Sequence, residues 1–150
     1  MRKVAVIGSS GAIGSAFVDH YINDQSINSI FSFSRSSIGI DNNKVKHFSI
    51  DIENENSVQD AAKSVEEINF DEIIIASGLL HTNEFGPEKS IKDLKAGNIL
   101  KILNVNTVGP AIIGKHFLPL LNKNNKSVMA FLSARVGSIS ENKLGGWYSY

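Results

Sequence analysis

Glycines fall at positions 8, 11 and 14, directly behind the apolar run Lys3-Val4-Ala5-Val6-Ile7 and ahead of an amphipathic stretch. The loop reads Gly8-Ser9-Ser10-Gly11-Ala12-Ile13-Gly14. Glycines between a strand and a helix suit an anionic ligand. The backbone turns tightly off the strand and comes close to a pyrophosphate, and the free N–H groups and positive end of the helix face the phosphates. The commonest pattern of this type, GxGxxG, requires glycine where this chain has Ser10 and Ile13, so the loop is a variant. All seven residues, Gly8, Ser9, Ser10, Gly11, Ala12, Ile13 and Gly14, are candidate cofactor contacts. The competing reading is a purely structural strand-to-helix turn. Roughly 20 residues beyond such a loop an acid normally holds the ribose hydroxyls of NAD. Here the chain reads Ser34-Arg35-Ser36-Ser37. An acid would repel a 2′-phosphate, whereas Arg35 can pair with one through two donors. The expected cofactor is therefore NADP, with NAD possible. The bland alternative is that Arg35 is a solvated loop residue.

The elements that must position these residues follow from periodicity. Strands are expected at residues 3–7, 29–34, 45–50, 72–76 and 127–132. The fourth is fully apolar (Glu72-Ile73-Ile74-Ile75-Ala76), as suits a strand buried on both faces of a parallel sheet. A helix is expected over residues 12–22, with Ile13, Phe17, Val18 and Tyr21 on one side. A second, capped at Asn56-Ser57, runs to Ile68 with Val58, Ala61, Ala62 and Val65 inward. Residues 91–121 read as two helices broken near 104–110, with Pro110 in a first helical turn and Pro119 bending the later part. Met129 and Phe131 alternate within the last strand and read as core. Residues 39–44 and 81–90 read as polar loops. Alternation of strand and helix predicts an α/β sandwich around a parallel sheet.

Composition bounds the function. The chain has 150 residues, with fifteen Lys and Arg balancing fifteen Asp and Glu and 42% hydrophobic residues. That is one globular domain. Neutral charge excludes an electrostatic grip on nucleic acid or an anionic membrane. Cysteine is absent, which excludes disulfides, thiol nucleophiles and thiolate metal sites. No run approaches the ~20 apolar residues of a membrane span, and the opening residues break into Gly and Ser too early for a signal peptide. A soluble, cytoplasmic protein is expected. The four histidines, His20, His47, His81 and His116, have no ligand spacing, so no metal site is expected.

Beyond the glycine loop, Asp51-Ile52 follows the third strand, Ala76-Ser77-Gly78 follows the fourth, and Asn106 stands in Asn104-Val105-Asn106-Thr107-Val108-Gly109-Pro110. The chain ends with Ser133-Ala134-Arg135-Val136-Gly137-Ser138-Ile139 and then Gly145-Gly146-Trp147-Tyr148-Ser149-Tyr150. In this order, over essentially the whole chain, these segments resemble the short-chain dehydrogenase/reductase family. The ending resembles its C-factor-like and sniffer-like carbonyl reductase branch. The resemblance implies a Rossmann-like three-layer sandwich, with strand order 3-2-1-4-5 across residues 1–150. It implies a NADP-dependent oxidoreductase acting on a small carbonyl or alcohol, possibly as a homo-oligomer. Asp51 and Ile52 match the family's adenine contact, and Ala76, Ser77 and Gly78 match its NAG motif with two residues replaced.

In the family a tyrosine phenol exchanges the proton on the substrate oxygen, and a lysine four residues later activates it. A serine orients the carbonyl and an asparagine anchors a water. By resemblance Tyr150 is the tyrosine, ahead of Tyr148, and Asn106 is the asparagine. The usual serine position holds Ala134, leaving Ser133 and Ser138 as equal candidates. Ser138 lies twelve positions before Tyr150, near the family's interval. The lysine would be residue 154. The resemblance therefore implies the amino-terminal, cofactor-binding part of a longer domain, without appreciable reductase activity as 150 residues. Two rival readings stand beside it: a non-catalytic cofactor-binding or signalling protein of the C-factor type, and an inactive truncated fragment. For Asp51 the rival role is a turn cap, and for Asn106 a hydrogen bond at the break of its own helix.

Overall fold

The structure is a computed structural model that describes residues 2–143 and 145–150. Five strands form one parallel sheet: β1 (Arg2–Ile7), β2 (Ile27–Ser34), β3 (Val45–Ser49), β4 (Glu72–Ile75) and β5 (Val128–Phe131), in the order β3-β2-β1-β4-β5. The helices α1 (Ala12–Asn23), α2 (Glu55–Lys63), α3 (Ala96–Leu103) and α4 (Gly109–Phe117) lie between strands in sequence. The expected Rossmann-like order and layering are present.

Residue alternation along β1 explains the two helical layers. Ala5 and Ile7 face one way with Phe31, Phe33, Ile73 and Ile75, and α2 and α4 cover them through Val58, Ala61, Ile113 and Phe117. Phe33 meets Phe117 edge to face at 5.3 Å, and Phe31 meets Phe70 at 5.1 Å. Such aromatic pairs add ~0.5–1.5 kcal/mol each beyond the area they bury. Val4 and Val6 face the other way with Ile30 and Ile74, under Val18 and Tyr21 of α1. Residues 4–7 of β1 and 73–75 of β4 read as continuous apolar runs because both faces of these central strands are covered.

Four local expectations are corrected. First, α2 is capped by Asn54, whose side chain accepts from the Asn56 and Ser57 amides, so the cap lies upstream of Asn56-Ser57. The helix ends at Lys63, and residues 64–68 continue as tight turns that still bury Val65. Second, the expected break at 104–110 is a π-helical turn, Asn104–Val108, through which α3 runs on into α4. The Gly109 amide reaches back to the Asn104 carbonyl, so the ladder widens around Pro110, which has no N–H to donate. Third, Phe131 is 49% exposed rather than core, because β5 is an edge strand in the described sheet. Fourth, Ile13 is 54% exposed, since the first turn of α1 projects past the sheet edge that buries Val18 and Tyr21.

Candidate functional site

β1 has β2 on one side and β4 on the other, and the chain leaves these neighbours in opposite directions. Ligands of open α/β sheets bind beyond the carboxyl ends of the strands at such a switch point. The glycine loop occurs there. Gly8 has φ +85°, and a Cβ on it would stand 2.7 Å from the Ser77 amide nitrogen behind β4. A Cβ on Gly14 would stand 2.2 Å from the Gly8 carbonyl oxygen. Packing alone therefore demands these two glycines. Gly11 differs: its φ is −78°, and a Cβ would lie 3.4 Å from the Gly8 oxygen. It is exposed, and its missing side chain leaves open space on the ligand side.

Gly11 is also the N-cap of α1, with no side chain capping the first turn and no acid within it. α2 has Asn54 for that task. The first amides of α1, at Ala12 and Ile13, line a cleft, which is the arrangement that attracts an anion. This cleft measures about 560 Å³ and is bounded farther on by Asn106, Ser133, Tyr148 and Tyr150. A second cleft of about 370 Å³ adjoins it and is lined by Ser34, Arg35, Asp51, Ile52, Glu53 and Lys101. Gly11, Ala76, Ser77 and Gly78 are walls of both. Ser77 lines both clefts, and its hydroxyl is buried without a hydrogen-bond partner. An elongated, doubly lobed cleft with an uncapped helix start and glycine at its narrowest wall fits a dinucleotide.

Most residues singled out in the sequence meet here. Gly8, Ser10, Gly11, Arg35, Asp51 and Ile52 line the smaller cleft, and Gly11, Ala12, Ile13, Asn106, Ser133 and Tyr150 the larger. Arg35 is exposed and forms no ion pair among the described residues. Asp51 also caps its turn, its carboxylate accepting the Glu53 amide at 3.1 Å. Asn106 bonds the segment after β4 rather than its own helix. Its Oδ1 accepts from the Leu79 amide at 2.7 Å and its Nδ2 donates to the Leu79 carbonyl at 2.8 Å.

Three residues are placed elsewhere. Ser9 is fully buried, its hydroxyl bonded to Ser32 at 2.8 Å and Ser34 at 3.2 Å, so its side chain supports the loop from beneath. Gly14 is buried in the contact between loop and helix. Ser138 lies away from both clefts, accepting the Glu141 amide at 3.3 Å, and this separates it from Ser133, which lines the larger one. The sequence reading missed the partnership of Lys101 and Glu53. Lys101 donates to both carboxylate oxygens at 2.7 and 2.9 Å, and Asn104 adds a third bond at 3.2 Å. The Lys101 ammonium above all holds the Glu53 carboxyl below the usual range. These residues are 48 positions apart, so no local pattern reveals the pair. Among the described residues, no cluster of His, Asp and Glu gathers as a metal would require, and no helix is long and apolar enough to cross a membrane.

No family model matches the chain. Over 103 residues it is 29% identical to 1-hydroxy-2-glutathionyl-2-methyl-3-butene dehydrogenase of Rhodococcus sp. (strain AD45), a match that covers 67% of this chain and 42% of that protein. Among solved structures, the NADPH-bound carbonyl reductase from chicken fatty liver superposes with TM-score 0.82 at 21% identity, over 94% of this chain and 60% of that one. A short chain dehydrogenase family protein from Francisella tularensis subsp. tularensis SCHU S4 gives 0.80 at 18%, over 99% and 57%. A Caenorhabditis elegans structure assigned as the carbonyl reductase Sniffer gives 0.84 at 21%, over 97% and 69%. This chain has their fold. It spans about two fifths of the curated relative and well under three quarters of these structures.

Proposed function

We propose that the chain is a NADP(H)-binding domain of the short-chain dehydrogenase/reductase family, nearest in type to the sniffer-like and C-factor-like carbonyl reductases. In this reading it forms the cofactor side of an oxidoreductase site for a small carbonyl or alcohol. The observation that carries the proposal is the continuous pair of clefts, with the glycine loop and the uncapped start of α1 in the middle. Arg35 lies at one end, and Ser133, Asn106 and Tyr150 lie at the other. The NADPH- and dehydrogenase-named relatives support it.

In this reading the amides of Ala12 and Ile13 hold the pyrophosphate, and Gly11 allows it to approach the backbone. Asp51 and Ile52 flank the adenine, and Arg35 pairs with the 2′-phosphate. A bound nicotinamide supplies or accepts hydride. Tyr150 holds the proton exchanged with the substrate oxygen, and Ser133 orients that oxygen. Asn106 holds the segment after β4 through Leu79. An ordinary phenol with a pKa near ~10 donates a proton readily at neutral pH but accepts one poorly unless a cation stands beside it.

Titration of the 150-residue chain with NADPH and NADH tests the proposal: NADPH binds and binds more tightly. Tighter binding of NADH removes the role given to Arg35, and no binding of either removes the proposed function. A second reading, cofactor binding without turnover, is favoured by one observation. Among the described residues no lysine or arginine lines the cleft beside Tyr150. NADPH consumption with a panel of small carbonyls separates the two, and binding without consumption by these 150 residues is expected.

A further inference from the structure

Glu88 is a buried carboxylate with no part in the chemistry above. It stands in the segment after β4, outside both clefts, with 5% of its surface exposed. One carboxylate oxygen accepts the Ser149 hydroxyl at 2.5 Å, and its backbone carbonyl accepts the Trp147 amide at 2.7 Å. The other carboxylate oxygen is buried without a partner. Ser149 is itself buried, at 4% exposure, and with Tyr148 and Tyr150 it lines the larger cleft.

The chain approaches Glu88 through three successive residues of positive φ: Gly145 (+65°), Gly146 (+78°) and Trp147 (+56°). A Cβ on Gly146 would stand 2.9 Å from the Glu88 carbonyl oxygen. A tryptophan in the left-handed region is strained, and such residues persist only where surrounding contacts over-determine them. The two bonds to Glu88 are those contacts. A carboxylate is the strong acceptor for a hydroxyl, because O–H···O⁻ bonds are short and roughly twice the strength of neutral ones. The Ser149 bond holds the Glu88 carboxyl below its usual range, against the opposing charge of Asp93.

We propose that Glu88 is a positioning residue: its side chain and carbonyl clamp residues 147–149 onto the segment after β4 and so aim Tyr150 into the cleft. The inference rests on the reading of Tyr150 as the reacting hydroxyl and adds a residue that the motif itself does not contain.

Trp147 is the only tryptophan of the chain, so its fluorescence reports on the clamped segment alone. The experiment compares emission maximum and acrylamide quenching in the unaltered chain, Glu88→Ala, Glu88→Gln and Ser149→Ala, with far-UV circular dichroism and an NADPH titration of each. In Glu88→Ala and Ser149→Ala the emission moves to the red and quenching rises. Losing a charge-assisted hydrogen bond shifts the clamped equilibrium about tenfold or more toward release. Glu88→Gln retains an acceptor oxygen and lies nearer the unaltered chain, a rescue that a mere loss of packing does not produce. NADPH affinity is unchanged in both Glu88 variants, since Glu88 lines neither cleft. Emission and quenching in both alanine variants equal to those of the unaltered chain overturn the clamp. Ser149→Ala carries the test alone if Glu88→Ala does not fold. Failure of NADPH to bind the unaltered chain removes the proposed function but leaves the fluorescence comparison to decide the clamp.

Discussion

The glycine loop, through Gly11 to Ile13, and the end of the chain, through residues 132–134, 137 and 148–150, both line the larger cleft and are held in different ways. The first wall is locked by backbone packing. The Gly8 and Ser9 amides both donate to the Phe33 carbonyl, Gly8 touches the chain behind β4, and Gly14 touches Gly8. The second wall has one short 3₁₀ turn, Arg135–Gly137, and most of its side chains are exposed. It leaves β5 through the Leu132 amide, which donates to the Ile75 carbonyl, and its end is bonded to Glu88 through Trp147 and Ser149. The difference teaches that the geometry of the glycine loop follows from building the sheet at all, whereas the placement of the tyrosine segment rests largely on a few polar bonds. Local stability of this uneven kind is usual where a rigid scaffold carries a functional segment.

Substitutions sharpen or break that contrast. The largest effect is expected for Gly14→Ala, where the new methyl has only the Gly8 carbonyl to displace. A loss of about 3 kcal/mol or more, or failure to fold, is expected in denaturant unfolding. Gly11→Ala, three residues away, should unfold normally and lose only NADPH affinity. If both unfold alike, the first wall is not divided as described. Asn106→Ala removes two bonds to Leu79 and leaves a half-buried amide without its partner, so about 1 kcal/mol of stability should disappear, read from the unfolding midpoint. Arg35→Ala lies at the far end of the cradle. Calorimetry should show NADPH binding weakened about 10- to 100-fold, NADH binding unchanged and stability unaltered.

Smaller effects follow at the rim. Lys101 holds Glu53 below its ordinary value, so the pair stabilises the fold while Glu53 is ionised. That contribution is complete above the ordinary glutamate value of about 4.3 and fades as pH falls through the lowered folded value. Both groups are partly exposed, so Lys101→Ala should cost only about 0.5 kcal/mol at neutral pH. Urea midpoints of the two chains should converge in acid; a constant gap would assign the effect to packing of the lysine stem. The smallest effect belongs to the second wall. Tyr150→Phe should leave stability within about 0.5 kcal/mol, because the ring is 38% exposed and the hydroxyl supports no buried bond. A large loss there would mean that the ending is part of the core.

Much of this was legible in the residues. The strands and the glycine loop follow from apolar runs and spacing, which act over a few residues, and the strand order followed from the family resemblance. Arg35, Asp51, Ser133, Asn106 and Tyr150 do line the clefts. Ser9 was misleading because the loop's backbone and its side chains face opposite ways. The interval from Ser138 to Tyr150 did not show that its hydroxyl bonds Ser140 and the Glu141 amide and lines neither cleft. Phe131 was misleading because alternation identifies a strand's faces without saying what covers them.

By itself, then, the sequence determined the alternating α/β order, the evenly spaced glycines of the loop and the hydroxyls available for chemistry. These are consequences of local sterics and hydrophobic period. Only the tertiary structure decided which serine reaches the cleft, that Asn106 holds Leu79, that Lys101 meets Glu53, and that Glu88 fastens the tyrosine segment. Those contacts join residues from 27 to 61 positions apart, except for the choice of serine, and such distances are set by how the layers close on one another.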